Sequence, residues 1–141
     1  MKAVMLVKAG NLKTGELGRI ECQNVPKPCL RTDEDVLIKV AYSSICGSDP
    51  HLLTGLLEVP VPSGCGHEMS GTVAALGKEA TKKGLKAGDK VTGNFLRFCG
   101  ACHYCRSGKE QFCTSPKTGE IQGTQAEYVV WNEAQVFKVP D

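Results

Sequence analysis

A mainly-β fold of short strands with scarce helix is predicted by three features of this sequence. Short apolar runs are punctuated throughout by Gly and Pro, one run alternates apolar and polar residues with period two, and a single segment carries clear helix start and stop signals. A chain of 141 residues, 41% of them hydrophobic, has room for one domain with a real core.

The elements follow in order. Strands are expected at Ala3 to Val7, Leu17 to Cys22 and, most clearly, Asp35 to Tyr42. In the third, Val36, Ile38, Val40 and Tyr42 alternate with Leu37, Lys39 and Ala41, the pattern of a strand with one buried face. Ser48-Asp49-Pro50 sets a capping residue before a first-turn proline and Gly55 supplies the stop, so a short helix is expected between them. Further strands are expected at Met69 to Ala75, Lys90 to Asn94 and Ala126 to Trp131, with neither internal repeats nor a low-complexity linker. Such a run of strands builds a barrel or sandwich.

Charge gives little guidance to partners. A net +2 from 17 basic and 15 acidic residues provides no field for nucleic acid or anionic lipid. Lys78, Lys82, Lys83, Lys86 and Lys90 lie among Gly77, Gly84 and Gly88 without interleaved aromatics, the pattern of a solvated loop. The longest apolar runs are too short to cross a bilayer, and Lys8 interrupts the first, so a soluble cytoplasmic protein is expected. In that compartment eight cysteines point to metal rather than disulfides.

Cys99, Cys102, Cys105 and Cys113 form C-x2-C-x2-C-x7-C, close enough for one loop to wrap a tetrahedral ion. Gly100 and Gly108 relieve the tight turns, and Arg97, Arg106 and Lys109 are available to offset the charge of four thiolates. Four sulfurs leave no open coordination position, so the site reads as structural zinc. An iron-sulfur run begins similarly but requires a different fourth spacing. His103, beside Cys102, reads as a surface residue.

Two further candidate ligands are Cys46, in Ile45-Cys46-Gly47-Ser48-Asp49-Pro50-His51, and His67, in Gly66-His67-Glu68. Each alone is a weak signal, a small buried thiol or a hydrogen-bonded imidazole. Together they offer the thiolate, imidazole and carboxylate of catalytic zinc, on loops that strands can bring together. Of the other cysteines, Cys22 reads as a strand end, Cys29 as part of the approach to the next strand, and Cys65 as facing the core.

Taken in order, Cys46-Gly47-Ser48-Asp49 with His51, Gly66-His67-Glu68-Met69-Ser70-Gly71, Gly88-Asp89-Lys90-Val91, the four-cysteine lobe and Ala126-Glu127-Tyr128-Val129 resemble the zinc-containing medium-chain alcohol and polyol dehydrogenases over nearly the whole chain. The resemblance implies a GroES-like, partly open β-barrel with short helices and a zinc-binding loop. It implies a catalytic zinc on Cys46 and His67, with Glu68 either a third ligand or a carboxylate behind the ligands. Asp49 would fix the His67 tautomer, Ser48 would hydrogen-bond the substrate hydroxyl, and His51 would pass the proton to solvent. Zinc would acidify the alcohol and an oxidised nicotinamide, NAD or NADP, would take the hydride, giving an aldehyde or ketone. The bland reading of Ser48 is a helix cap, and of His51 a surface residue.

The sequence departs from the family in a longer loop from Gly77 to Asp89, in Gln125 and in Cys65, none a proposed ligand. Gly64-Cys65-Gly66 with Gly71 has the wrong spacing for a dinucleotide fingerprint. The implied organisation is therefore a catalytic domain over residues 1–141, with a structural zinc lobe at 95–115, ending before a Rossmann nucleotide-binding domain. Such a piece should be inactive alone, and its parent enzyme a homo-oligomer. The competing reading is a stand-alone zinc-binding interaction domain, which leaves Cys46, Ser48, His67 and Glu68 without a purpose; a third, a redox sensor using Cys99 to Cys113, predicts reversible zinc release on oxidation.

Overall fold

The computed structural model describes residues 1–114 and 123–140. Ser115 and Asp141, the last residues of the expected lobe and domain, lie outside the described residues. Eight strands are found among the described residues, in two antiparallel sheets. In the smaller, β1 (Lys2–Lys8) is flanked by β2 (Arg19–Asn24) and the short β4 (Ser63–Gly64). The larger runs β7 (Tyr128–Asn132), β3 (Asp35–Ser43), β5 (Met69–Leu76), β6 (Lys90–Gly93) and β8 (Val136–Lys138). The large sheet keeps two edges, so the expected mainly-β, GroES-like fold is found as an open sheet rather than a closed barrel. Among the described residues the helices are short: α1 (Asp49–Thr54), α2 (His103–Arg106) and three one-turn 3-10 segments.

The six strands expected from sequence are all present, with no boundary shifted by more than two residues. The one-faced reading of β3 needs correction. Asp35, Val36, Leu37 and Ile38 are all buried, so both faces of this central strand are covered here, while β5 and β7 pair its two edges. Register shifts between Leu37 and Ile38 and between Val40 and Tyr42 then break the alternation, and Tyr42 is 79% exposed rather than buried.

The main core lies on the large sheet, where Val36, Ile38, Val73, Val91 and Trp131 are almost completely enclosed. Each such side chain contributes about 1.5–3 kcal/mol of transfer free energy. A second cluster of Leu6, Leu52 and Cys65 seats α1 against β1. Burial, followed by the charge of Asp49, raises the Cys65 thiol above its ordinary value, so it stays protonated and apolar in character, as its core reading requires. Cys22 lies within β2 rather than at its end.

Candidate metal centres

The pairing of β3 with β5 assembles the first centre. Ser43 at the end of β3 stands opposite Met69 at the start of β5, so the loop that follows one strand and the loop that precedes the other emerge side by side. Cys46 lies on the first loop and His67 and Glu68 on the second, and one ligand atom from each of the three falls within 4.8 Å of the others. Cys46 is half-buried, His67 is buried and Glu68 is exposed.

Asp49, in the first turn of α1, bears on two of the three. Its Oδ2 accepts the Cys46 amide at 2.8 Å, and its Oδ1 faces His67 Nδ1 at 3.6 Å. That Oδ1 is buried and has no hydrogen-bond partner among the described residues. A buried carboxylate oxygen with an idle lone pair favours the tautomer with the proton on Nδ1, leaving the Nε2 lone pair available to a metal. On the Nε2 side Ser48 Oγ stands at 3.5 Å. Ser48 occupies the N-cap position of α1, as expected, but makes no side-chain cap hydrogen bond; its hydroxyl is turned to the imidazole. Gly55, in the left-handed region, ends the helix as expected. His51 is exposed in the last turn and is not among the grouped ligand atoms.

Sequence reasoning missed several neighbours that shape this centre. Ser44 Oγ donates to Glu68 Oε2 at 2.7 Å; that bond, followed by the Cys46 thiol, holds the Glu68 carboxyl below the usual carboxylate range. Phe95 stands edge-on to the His67 ring at 4.9 Å, and its carbonyl accepts from the buried Gln135. A cleft of about 590 Å³ opens alongside, lined by Tyr42, Ser44, His67, Glu68, Thr92 and Phe95 among others. Ser44, Phe95 and Gln135 carry no local sequence signal, because each acts through a partner far along the chain.

The second centre is local. Cys99, Cys102, Cys105 and Cys113 bring their sulfurs within 4.8 Å of one another. Cys105 Sγ lies 3.5 Å from Cys102 Sγ and 3.9 Å from Cys99 Sγ, which fits the ~3.8 Å edge of a tetrahedron of thiolates about 2.3 Å from zinc. Backbone amides already point at the sulfurs: Cys102 N donates to Cys99, Cys105 N to Cys102 and Cys99 N to Cys113. The Cys105 amide lowers the Cys102 thiol, whereas burial and the surrounding thiols push Cys105 up to about 12. Gly100 and Gly108 take positive φ, as the tight turns demand. His103 is exposed on α2, edge-on to Tyr104. Of the cations expected to offset the thiolates, Arg97 is directed instead to Glu34 at 3.6 Å.

An open β domain carrying a four-thiol lobe and a Cys-His-Glu group defines a class, and the family model "Alcohol dehydrogenase GroES-like domain" matches residues 32–141. The chain belongs to the zinc-binding medium-chain dehydrogenase family with a GroES-like N-terminal domain, related to alcohol, threonine and polyol dehydrogenases. It is 40% identical over 113 residues to L-threonine 3-dehydrogenase of Francisella philomiragia, covering 76% of this chain and 32% of that protein. Against the Yersinia enterocolitica L-threonine 3-dehydrogenase it is 37% identical over 124 residues, covering 84% and 36%. The chain thus spans about a third of the length of these curated relatives. Among solved structures, the alcohol dehydrogenase of Thermus sp. ATN1 superposes with a TM-score of 0.82 at 33% identity, covering 100% of this chain and 40% of that one. Galactitol-1-phosphate dehydrogenase of Escherichia coli gives 0.84 at 27%, covering 99% and 38%. The two ligand groups match the catalytic and structural zinc sites of this family. No helix among the described residues is long and apolar enough to cross a membrane.

Proposed function

We propose that residues 1–141 form the catalytic domain of a zinc-dependent NAD(P) alcohol or polyol dehydrogenase, with the structural lobe at 95–115. The observation that carries this reading is the convergence of Cys46, His67 and Glu68 within 4.8 Å, backed by a buried Asp49 oxygen with no hydrogen-bond partner among the described residues. Cys46 and His67 would hold a catalytic zinc, with Glu68 as third ligand or as a carboxylate behind it, and Cys99, Cys102, Cys105 and Cys113 would hold a structural one. When bound, the catalytic ion supplies Lewis acidity toward an alcohol hydroxyl. Ser48 Oγ, 3.5 Å from His67 Nε2, is placed to accept a hydrogen bond from that hydroxyl and receive its proton. His51, exposed on the same helix, passes the proton on to solvent. Asp49 and Phe95 hold the imidazole from its edge and face, and the cleft beside Glu68 admits the substrate. In the net reaction the alcohol loses a hydride to an oxidised nicotinamide and a proton to water.

Nicotinamide binding falls to a Rossmann domain, for which the 141 residues carry no fingerprint. The chain alone should therefore show no turnover. The working enzyme is read as a cytoplasmic homo-oligomer, the reduced compartment being the one in which clustered thiols serve a metal. Zinc content per chain tests the assignment. About two ions falling to one in a Cys46→Ser, His67→Ala double variant supports it; one ion unchanged by the substitutions leaves only the lobe.

A further inference from the structure

His67 is bracketed by a residue that neither zinc assignment uses. The Thr124 amide donates to the Gly66 carbonyl at 3.0 Å, one peptide before His67, and its hydroxyl lies 3.2 Å from the Glu68 carbonyl, one peptide after it. The same hydroxyl is 3.0 Å from Ser43 Oγ, which also reaches the Glu68 carbonyl, at 2.9 Å. Whichever way the two protons are shared, at least one hydroxyl donates to that carbonyl. Ser43 ends β3 three residues before Cys46, so a single side chain ties the loop of Cys46 to the loop of His67 and Glu68. Thr124 is 0% exposed, so its hydroxyl is shielded from bulk solvent and its bonds are costly to lose.

The chain crossing that permits this is tight. A Cβ on Gly123 would lie 2.5 Å from the Gly64 Cα, and one on Gly66 would lie 2.9 Å from Thr124 Oγ1. Gly64 and Gly66, which resemble part of a dinucleotide fingerprint, thus serve backbone contact. The crossing continues in a ladder, with Gln125 N donating to Cys65 O at 2.9 Å and Val4 N to Gln125 O at 2.8 Å.

We propose that Thr124 is a positioning residue for the Cys46–His67–Glu68 centre, its amide and hydroxyl fixing the carbonyls of the residues on either side of His67 so that the imidazole meets Cys46 at metal-binding distance. The inference rests on the reading of that centre as a metal site. Partners behind metal ligands are commonly worth 10–100-fold in affinity, and the loss of one buried hydroxyl falls at the lower end.

The test is cobalt(II) titration of the 141-residue chain with one equivalent of zinc already seated in the lobe, followed by the thiolate-to-cobalt absorption band that Cys46→Ser removes. Thr124→Val should weaken cobalt binding about tenfold. Thr124→Ser, which keeps the hydroxyl, should bind within about threefold of the native chain. The zinc content of the lobe should be the same in all three. Native affinity in Thr124→Val overturns the inference while leaving the metal site intact. Equal weakening in both variants also overturns it, because the cause is then packing rather than the hydroxyl. Should Thr124→Val fail to fold by circular dichroism, Ser43→Ala takes its place, with an expected weakening of about threefold and an unchanged affinity counting against the proposal. If the native chain shows no Cys46-dependent band at all, the metal reading fails and this inference falls with it.

Discussion

The two ligand groups differ most in how far apart their residues lie in sequence. The lobe draws four sulfurs from residues 99–113, with backbone amides of the same segment aimed at three of them. The Cys46 centre draws on two loops whose meeting depends on the Ser43–Met69 pairing of β3 and β5, and on a third segment at Thr124 that clasps both. The comparison teaches that a local site needs little more than its own turns and its ion, whereas a site between loops inherits the stability of the sheet beneath it. Perturbations of the sheet and of the lobe should therefore separate cleanly.

The largest effect expected is at the lobe. Cys105 is buried and central to the sulfur cluster, so Cys105→Ser should cost the chain one whole zinc. Structural zinc sites are worth roughly 10–16 kcal/mol to the segments they fold, so residues near the cysteines should lose amide-exchange protection while β3 and β5 keep theirs. Loss of protection throughout the large sheet would show that the lobe is not an independent unit.

Trp131→Ala reverses the experiment. Trp131 is fully buried in the main core, and the truncation should cost about 3–5 kcal/mol in denaturant unfolding. It should weaken metal binding at Cys46 and His67 while the lobe retains its zinc. Equal loss at both centres, measured by metal content, would erase the distinction.

Asp49→Asn addresses the first centre alone. Removing the carboxylate that faces His67 Nδ1 should weaken binding there about 10–100-fold, as read by competition with a chelating dye, and leave the lobe untouched.

The smallest effect is electrostatic and lies in the sheet. Asp89, beside β6, accepts from Lys138 of β8 at 2.9 Å and from the Lys86 amide, and Lys138 holds its carboxyl below the usual range. A carboxyl depressed in the folded state stabilises it above the unfolded pKa, and that contribution is lost as pH falls through the folded value. The melting temperature of Asp89→Asn should therefore lie below that of the native chain at neutral pH and converge with it in acid. A gap independent of pH would point to the lost geometry rather than the charge.

Much of this was legible in the sequence, for reasons visible in particular residues. The lobe could be read because C-x2-C-x2-C is a geometric statement about one turn after another. The strands could be read because their apolar runs end at Gly and Pro, and α1 because Pro50 and Gly55 mark its ends. The second centre was legible as a weak set of ligand types on two loops, Cys46 on one and His67 with Glu68 on the other, which the resemblance then strengthened. Tyr42 misled, since period two assumes an unbroken ladder and β3 is bulged. Ser48 marked the N-cap position correctly, but the sequence did not show that its hydroxyl faces an imidazole contributed by another loop instead of capping the helix.

By itself, then, the sequence determined what is encoded over a few neighbouring residues: strand periodicity, helix ends, the four-thiol cluster and the chemical identity of the other ligands. Only the tertiary structure decided which loops meet, that Ser44, Phe95 and Thr124 stand around His67 and Glu68, and that Gly64 and Gly123 let two backbones cross. Contacts of that kind join residues tens of positions apart. They depend on strand register and on close backbone approach, which no local pattern of side chains records.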